Sequence, residues 1–229
     1  SLQRNQIWNS AVAFWQDGVI KAPEKERPLQ NLAFSLQQEG RLEEALQYYK
    51  KSLSRPNSGA VYNMGLAYSQ LERWFSAADA FITAIKMGYQ PAGIHQKLAH
   101  ALENMGEFKG ALHHYRIAVQ RMPDNAAFQN QMEDLSDYLD QCGGELACVN
   151  RRSRQQPDNP SLYYKKGVLL EEKGEWEAAR DAYLLAYHLQ EESAGQFFLL
   201  TLNRLAAINE KSGRTDHSLA LYRKGIELA

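Results

Sequence analysis

The stretch Tyr163–Tyr187, which reads YYKKGVLLEEKGEWEAARDAYLLAY, decides the fold of the chain. Two small residues, Gly167 and Ala179, lie twelve positions apart in it, and Gly174 precedes the second of them by five. Apolar residues on both sides recur with the spacing of a helix. This pattern predicts two short helices that cross closely where both lack bulk, with a glycine ending the first helix.

The same spacing recurs along the chain. Small residues twelve apart form five pairs: Ala33/Ala45, Gly65/Ala77, Ala99/Ala111, Gly167/Ala179 and Ala206/Ser218. An aromatic residue follows each pair by four positions: Tyr49, Phe81, Tyr115, Tyr183 and Tyr222. In four of the pairs a glycine lies five residues before the second member: Gly40, Gly106, Gly174 and Gly213. The sequence is therefore predicted to be an array of internal repeats.

The helix around the first small residue of each pair resembles the first helix of the tetratricopeptide repeat (TPR) family. The family signature is an aromatic-x2-Leu-Gly-x2-Tyr helix, then Ala-x3-Phe and a closing proline, with a period of about 34 residues. The matching segments are Leu29–Leu36, Val61–Tyr68, His95–Leu102, Tyr163–Leu170 and Leu202–Asn209. Lys166 and Asn209 depart from the signature. The resemblance implies an all-α fold, a right-handed α-solenoid of antiparallel helix pairs that forms a TPR-like superhelix.

The expected organisation is a single solenoid over residues 1–229. A leading helix over 5–22 precedes repeats 1 to 3, which are expected over 26–57, 58–91 and 92–123. A degenerate repeat 4 follows over 126–157, and repeats 5 and 6 over 160–191 and 199–229. In repeat 4, Arg152 stands at the aromatic position, four residues after Cys148. Because each repeat is stabilised only by its neighbours, we expect this repeat to be the weak point of the array, either a hinge or a bend.

Composition and motifs favour a protein that is not an enzyme. The 229 residues include 26 Lys and Arg and 27 Asp and Glu, a net charge of −1, which favours neither nucleic acid nor a membrane surface as a partner. No apolar run approaches the roughly 18–20 residues of a membrane helix. The motifs of nucleotide-binding loops, serine hydrolases and zinc proteases are missing from the sequence. We therefore expect no catalytic residues, no cofactor and no insertion of this segment into a membrane.

The cysteines and histidines lack the spacing of a metal site. Cys142 and Cys148 are too far apart in sequence for the usual zinc knuckle. We favour Cys148 as a buried small residue at a helix crossing, and a disulfide with Cys142 in an oxidising compartment is the alternative. The adjacent His113 and His114 point in different directions on a helix, so no metal ligand is predicted there. The basic run Asn150–Arg154 is interpreted as a cationic helix end, with anion or nucleic-acid contact as the alternative.

In solenoids of this family the first helix of each pair lines a concave groove, so the resemblance implies a binding site for an extended peptide or a partner helix. The candidate groove residues are Gln30, Phe34, Gln37, Tyr62, Leu66, Gln96, His100, Glu103, Glu133, Asp137, Asp140, Tyr164, Glu171 and Asn203. The residues before Glu103 are neutral, and the later ones are largely acidic. Glu133, Asp137 and Asp140 share one helix face, and carboxylates gathered in a concavity focus negative potential. This predicts a partner segment with apolar residues at one end and Lys or Arg at the other, with a solvated acidic face and no partner as the alternative.

The favoured function is a non-catalytic protein-interaction scaffold whose partner is a protein or peptide with basic residues. The stretch Phe14–Tyr49 also resembles the start of repeat tails in large bacterial membrane proteins. That resemblance implies an alternative function, the regulatory or substrate-recruiting tail of a membrane-bound envelope enzyme such as a glycosyltransferase. It also implies a location on the periplasmic side of the membrane, with the cytoplasm as the alternative. A homo-oligomer is a third hypothesis, because Gly225–Ala229 does not supply the polar closing helix that such arrays usually need.

Overall fold

The structure is a computed structural model that describes residues 10–190 and 196–228. Within those two ranges the chain forms thirteen α-helices and one short 3₁₀-helix, and it contains no strand. The predicted all-α architecture of solenoid-type helix pairs is therefore confirmed. No helix in the described part of the chain is both long enough and apolar enough to cross a bilayer.

Twelve of the helices follow one another as six pairs, after a single leading helix. The leading helix α1 spans Ala11–Lys21, and positions 5–9 of the predicted leading helix lie outside the described residues. The first three pairs are α2 (Glu26–Gln38) with α3 (Leu42–Lys51), α4 (Ser58–Gln70) with α5 (Trp74–Lys86), and α6 (Ile94–Asn104) with α7 (Phe108–Arg121). The other three are α8 (Ala126–Cys142) with α9 (Glu145–Gln155), α10 (Pro160–Glu172) with α11 (Trp176–Leu189), and α12 (Gln196–Lys211) with α13 (Thr215–Leu228).

The turn inside each regular pair needs one residue in the left-handed conformation. Gly174 supplies it between α10 and α11, with φ of 77°, and glycine adopts this conformation without steric cost. In the second pair the equivalent position holds Glu72, which nevertheless takes a φ of 55°. The turn geometry is thus imposed by the packing of the two helices as well as by glycine.

Close helix crossing explains the small residues of the sequence pattern. At Gly65 a Cβ atom would lie 2.6 Å from the Phe81 ring, and at Gly167 it would lie 2.6 Å from the Tyr183 ring. The aromatic rings fill the space that the glycines leave empty. Four of the five repeat aromatics are at most 1% exposed: Tyr49, Phe81, Tyr115 and Tyr183. The fifth, Tyr222 on α13, is 36% exposed.

The chain divides into two compact units, residues 1–97 and residues 98–229, and the boundary falls inside α6. We call them the N-unit and the C-unit. The N-unit core is built around Leu32, Leu36 and Tyr49. The C-unit has one core around Phe108 and Tyr115 and a second core around the α10–α11 pair. The single continuous array expected from the sequence stays a prediction.

In the fourth pair, α8 with α9, the two helices pack together over a much shorter stretch than the helices of the first, second, fifth and sixth pairs do. Gly143 ends α8 in the left-handed conformation. Cys142, the last residue of α8, forms a disulfide with Cys148 of α9, and their Cα atoms are 5.1 Å apart. The side chain of Cys148 is fully buried, as expected, and it also forms the disulfide that the sequence offered as the alternative. The two-glycine turn brings the cysteines close enough to bond.

Candidate functional site

The first helix of every pair carries part of the candidate site. In the N-unit the members are Gln30, Phe34 and Gln37 on α2, Tyr62 and Leu66 on α4, and Gln96 at the start of α6. In the C-unit they are His100 and Glu103 on α6, Glu133, Asp137 and Asp140 on α8, Tyr164 and Glu171 on α10, and Asn203 on α12. The candidate residues therefore fall into two sets, one in each unit.

The N-unit set presents an uncharged surface. Phe34 is 50% exposed on α2, an unusual exposure for a phenylalanine. One turn earlier, the Nε2 atom of Gln30 is buried and has no hydrogen-bond partner among residues 10–190 and 196–228. Tyr62 packs against the rings of Phe81 and Tyr89, at centroid distances of 5.8 and 5.3 Å, and its burial together with Tyr89 raises the pKa of its hydroxyl. The half-buried Leu66 extends this apolar face by one turn on α4.

Gln37 is bound within the N-unit rather than open to a partner. The Tyr49 hydroxyl donates to Gln37 Oε1 at 3.0 Å, and Gln37 Nε2 donates to Gln70 Oε1 at 3.0 Å. The side chain is buried by these contacts. Gln37 therefore links α2 to α3 and α4 and has a structural role.

The same tyrosine contact recurs twice in the C-unit. The Tyr115 hydroxyl donates to Glu103 Oε2 at 3.1 Å, and the Tyr183 hydroxyl donates to Glu171 Oε2 at 3.0 Å. In each case the acceptor lies twelve residues before the tyrosine, as for Tyr49. A sequence signal for this contact exists: every buried tyrosine of the array has Gln or Glu twelve residues earlier, whereas Phe81 has a serine there.

Burial shifts the titration of these tyrosines. Desolvation of the phenolate raises the pKa of Tyr49, Tyr115 and Tyr183 far above the ordinary value. For Tyr115 and Tyr183 the neighbouring carboxylate raises the pKa further, because it repels a phenolate and accepts a hydrogen bond only from the protonated phenol. The hydroxyls therefore remain protonated donors that hold Glu103 and Glu171 in place.

Glu103 is also neutralised by a cation from another pair. Arg152 on α9 places Nη2 3.0 Å from Glu103 Oε1. Its guanidinium lies over the rings of Phe108 and Tyr138, at 5.6 and 4.9 Å from their centroids. Such stacking suits a planar guanidinium. Sequence reasoning missed Arg152 because it occupies the aromatic position of the degenerate repeat, 49 residues from Glu103.

Glu171 is neutralised in a similar way from α12. Its carboxylate lies 3.4 Å from Arg204 and 3.5 Å from Lys211, and only 17% of its side chain is exposed. A spacing signal could have indicated the first contact, because Arg204 follows Glu171 by 33 residues, about one repeat. Gln70 follows Gln37 by the same interval and makes the corresponding contact in the N-unit.

Tyr164 lies on α10 beside this cluster. Its ring packs against those of Tyr183 and Phe197, at centroid distances of 5.5 and 5.4 Å. Burial raises the pKa of Tyr164, and the nearby guanidinium of Arg204 opposes that change. The ring therefore contributes more to the packing of α10 against α11 and α12 than to an open surface. Asn203, by contrast, is exposed on α12.

The acidic residues of α8 are in a different environment. Glu133, Asp137 and Asp140 are all exposed, as is Asp134. None of the four makes an ion pair with the described part of the chain, and α8 contains no Lys or Arg. Like charges four residues apart, such as Glu133 and Asp137, destabilise a helix by a few tenths of a kcal/mol. The α8 acidic face, as we call these four carboxylates, thus carries uncompensated negative charge.

A second feature of the C-unit connects the third and fifth pairs directly. Lys165 on α10 has a side chain that is only 11% exposed, and its Nζ lies 2.8 Å from Glu107 and 3.2 Å from Glu145. Burial alone would lower the pKa of Lys165, but the two carboxylates together raise it. The amide of Asn159 donates to the carbonyl oxygen of Asn104 at 2.9 Å. Regular repeats contact only their neighbours, so these contacts reach past the fourth pair.

The histidine and carboxylate positions do not form a metal centre in the described ranges. No group of three or more His, Cys, Asp or Glu side chains there is arranged to hold an ion. The exposed His100 accepts a hydrogen bond at its backbone oxygen from the Asn104 amide at 2.9 Å.

Comparison with known proteins identifies the repeat type. Family models described as tetratricopeptide repeat match residues 29–55 and 149–195. Among solved structures, the chain is similar to YrrB, which is described as a TPR protein with an unusual peptide-binding site. The two sequences are 17% identical, the match covers 93% of this chain and 91% of that chain, and the TM-score is 0.44. It is also similar to NprR in complex with its cognate peptide NprX, with 20% identity, coverage of 89% and 67%, and a TM-score of 0.48.

One curated protein shares a partial likeness. The Protein O-mannosyl-transferase Tmtc3 of Drosophila melanogaster is 29% identical to this chain over 84 residues. The match covers 36% of this chain and 9% of that protein.

Proposed function

The chain is a tetratricopeptide-repeat protein, and on that premise we propose that it is a non-catalytic scaffold that holds a basic segment of a partner protein against the α8 acidic face. The observation that carries the proposal is the contrast between the acidic positions of the C-unit. Glu103 and Glu171 are both bound to tyrosine hydroxyls and paired with internal cations. The α8 carboxylates are exposed and have no such partners within the described part of the chain.

Electrostatics explains why a basic segment fits this face. Four carboxylates on one 17-residue helix without a compensating cation repel one another. Lys or Arg side chains of a partner would remove that repulsion and gain attraction from several carboxylates at once. Exposed ion pairs contribute only about 0.2–1 kcal/mol each, so binding through this face depends on several contacts and weakens as salt is added.

The N-unit supports a different contact, with an apolar side chain. Phe34 exposes half of its ring between Gln30 and Gln37, and no charged candidate residue lies on α2 or α4. Removing such a ring from water is favourable by about 25 cal/mol per Å² of apolar surface. We propose that Phe34 contacts an aliphatic or aromatic side chain of a bound segment.

Charge reversal on α8 tests the proposal. The Glu133→Lys/Asp137→Lys double variant changes two exposed carboxylates that make no internal ion pair, so it should fold normally by circular dichroism. The matched control is Asp79→Lys/Glu227→Lys, which changes the net charge equally on the second helices α5 and α13. The probe is a set of fluorescent synthetic peptides that combine Lys or Arg with Leu or Phe, measured by anisotropy.

We expect the α8 variant to bind the basic peptides about tenfold more weakly, which corresponds to about 1.4 kcal/mol. The control variant should bind them as the unmodified protein does. Equal losses in both variants would mean that only net charge matters, and unchanged affinity in the α8 variant would contradict the proposal. A Phe34→Ala variant tests the N-unit contact separately, with peptides that contain or lack the Leu and Phe residues.

A second candidate function is the substrate-recruiting tail of a membrane-bound glycosyltransferase. The partial match to Protein O-mannosyl-transferase Tmtc3 favours it. The complete natural polypeptide that contains this chain, purified from its source, would decide the question. A transferase activity that declines when the α8 acidic face is reversed would support this function, and a polypeptide without transferase activity would exclude it.

A further inference from the structure

The fourth pair of the C-unit is held together differently from the regular pairs. In those pairs a buried aromatic ring packs into the crossing, as Tyr115 and Tyr183 do. In the fourth pair the equivalent residue is Arg152, whose guanidinium stacks on the Tyr138 ring of α8 and pairs with Glu103 of α6. Leu135 of α8 and Val149 of α9 share one buried apolar cluster. Two further local links join the helices across their turn: the Cys142–Cys148 disulfide and a hydrogen bond from the Tyr138 hydroxyl to the Cys148 carbonyl oxygen at 2.8 Å.

Helix α9 also carries the groups that connect this pair to its neighbours. Arg152 pairs with Glu103 of α6, and Glu145, the first residue of α9, pairs with Lys165 of α10. The position of α9 therefore determines whether Glu103 is neutralised. It also determines whether Lys165 keeps one of its two carboxylates.

We propose that Cys142 and Cys148 form a redox site whose oxidised state fixes α9 against α8 and keeps Arg152 on Glu103. The disulfide takes the place of the missing aromatic contact. When it is reduced, no covalent bond holds α9 to α8, and the two helices keep only the apolar cluster of Leu135 and Val149, the stacking of Arg152 on Tyr138 and the Tyr138 hydrogen bond. Helix α9 then moves away from α8, and the Arg152–Glu103 pair separates.

The chemistry of the switch is ordinary thiol–disulfide exchange with a small or protein dithiol. Cys148 is fully buried, whereas Cys142 is only half-buried. A thiolate of the dithiol attacks the Cys142 sulfur, the S–S bond breaks, and Cys148 leaves as a thiolate that takes up a proton. The second thiol of the dithiol then attacks the mixed disulfide and releases Cys142 as a thiol. The protein gains two electrons and two protons, and the dithiol becomes a disulfide.

Reduction would change the charge that the C-unit offers to a partner. With Arg152 released, the Glu103 carboxylate adds an uncompensated negative charge to the C-unit, which also carries the α8 acidic face. This consequence rests on the proposed function, whereas the movement of α9 does not. The affinity for the basic peptide probes should therefore increase on reduction, by about threefold to tenfold if one additional exposed ion pair forms.

Hydrogen exchange followed by mass spectrometry tests the movement without any partner. The full chain is compared in its oxidised form and after treatment with excess dithiothreitol. Peptides from α9 should exchange on the order of tenfold faster after reduction, whereas peptides from α10 and α11 beyond the Lys165 contact should not change. Equal exchange of α9 in both states would overturn the proposal. Free thiols at both cysteines in protein purified under oxidising conditions would also overturn it.

Two variants separate the disulfide from the ion pair. Cys142→Ser needs no reductant: its α9 should exchange as fast as that of the reduced protein, and dithiothreitol should have no further effect. Arg152→Gln keeps the disulfide, so its α9 should still respond to reduction, but its peptide affinity should no longer depend on the redox state. If reduction speeds hydrogen exchange in α9 of the unmodified protein but leaves its affinity for the basic peptides unchanged, the redox site is supported and the proposed binding of basic segments to the α8 acidic face is contradicted.

Discussion

Gly167 shows how strictly one residue can be determined by the ring that packs against it. Replacing it with alanine would place a Cβ atom 2.6 Å from the buried Tyr183 ring, which is fixed by its hydrogen bond to Glu171. Overpacking of this kind costs about 1–3 kcal/mol. We expect Gly167→Ala to lower the free energy of unfolding by about 2 kcal/mol, measured by urea denaturation followed by circular dichroism.

The matched control is Gly110→Ala, in the first turn of α7. A Cβ atom there would meet only Leu102, at an ordinary contact distance of 3.6 Å. Alanine favours a helix over glycine by about 0.8–1 kcal/mol, so this variant should be as stable as the unmodified protein or more so. A loss of stability at Gly110 equal to that at Gly167 would show that backbone freedom, rather than the ring, explains the result.

For individual residues, the sequence predicted the repeat positions but not the hydrogen-bonding roles of several candidate site residues. The small residues and aromatics could be found because they recur at fixed intervals. The roles of Gln37, Glu103 and Glu171 could not be predicted from the sequence. A Gln or Glu side chain can line a groove or accept a hydrogen bond from a tyrosine, and the residue type alone does not distinguish the two roles. Their hydroxyl partners lie on the second helix, and only the contact between the helices shows which role they have.

Among the elements, α10 has ion pairs that reach outside its own pair. Lys165 joins it to Glu107, before α7, and to Glu145, at the start of α9. Removing a largely buried partner leaves the other charges without compensation. Because Glu107 is partly exposed, we expect Lys165→Met to lower the free energy of unfolding by about 1–3 kcal/mol, less than the 3–5 kcal/mol of a fully buried pair.

Urea denaturation of Lys165→Met beside Lys166→Met measures this effect. Lys166 is the next residue on α10 and forms no ion pair in the described structure, so its replacement should change stability by no more than about 0.5 kcal/mol. Equal effects of the two substitutions would show that the contacts of Lys165 with Glu107 and Glu145 do not stabilise the C-unit.

For the helices, the sequence predicted the pairing within each repeat but not the contacts between residues distant in sequence. Helix pairing could be predicted because apolar spacing and turn glycines are local properties. The short packing of α8 against α9 could be predicted only as a weak point of the degenerate repeat, where Arg152 replaces the aromatic residue. Where that arginine goes depends on Glu103, Phe108 and Tyr138, which are distant in sequence and come together only in the folded C-unit.

For the whole molecule, the three buried tyrosines predict a stability that falls in alkaline solution. In the folded protein the pKa of Tyr49, Tyr115 and Tyr183 is raised, whereas in the unfolded chain they ionise near pH 10. Their contribution is complete below about pH 10. Above it the unfolded chain releases protons that the folded protein keeps, so stability declines by about 1.4 kcal/mol per pH unit for each tyrosine.

Urea midpoints measured from about pH 8 to pH 12 test this expectation, because they span the ordinary tyrosine pKa. The Tyr183→Phe variant should show a shallower decline, since it has one ionisable phenol fewer in the unfolded chain. A decline of the same steepness in the variant and the unmodified protein would assign the alkaline loss to other groups.

The division of the chain into two compact units could not be predicted from the repeat pattern. Every repeat before and after Lys97 has similar spacing, so the sequence alone predicts one array.

The disulfide across the Gly143–Gly144 turn has a practical consequence for any study of the chain by limited digestion. A protease that cuts within this exposed turn would leave the two products joined covalently through Cys142 and Cys148. On a non-reducing gel the nicked protein would migrate with the intact one, and two fragments would separate only after a thiol is added to the sample. A single band without reductant is therefore no proof of an uncut backbone.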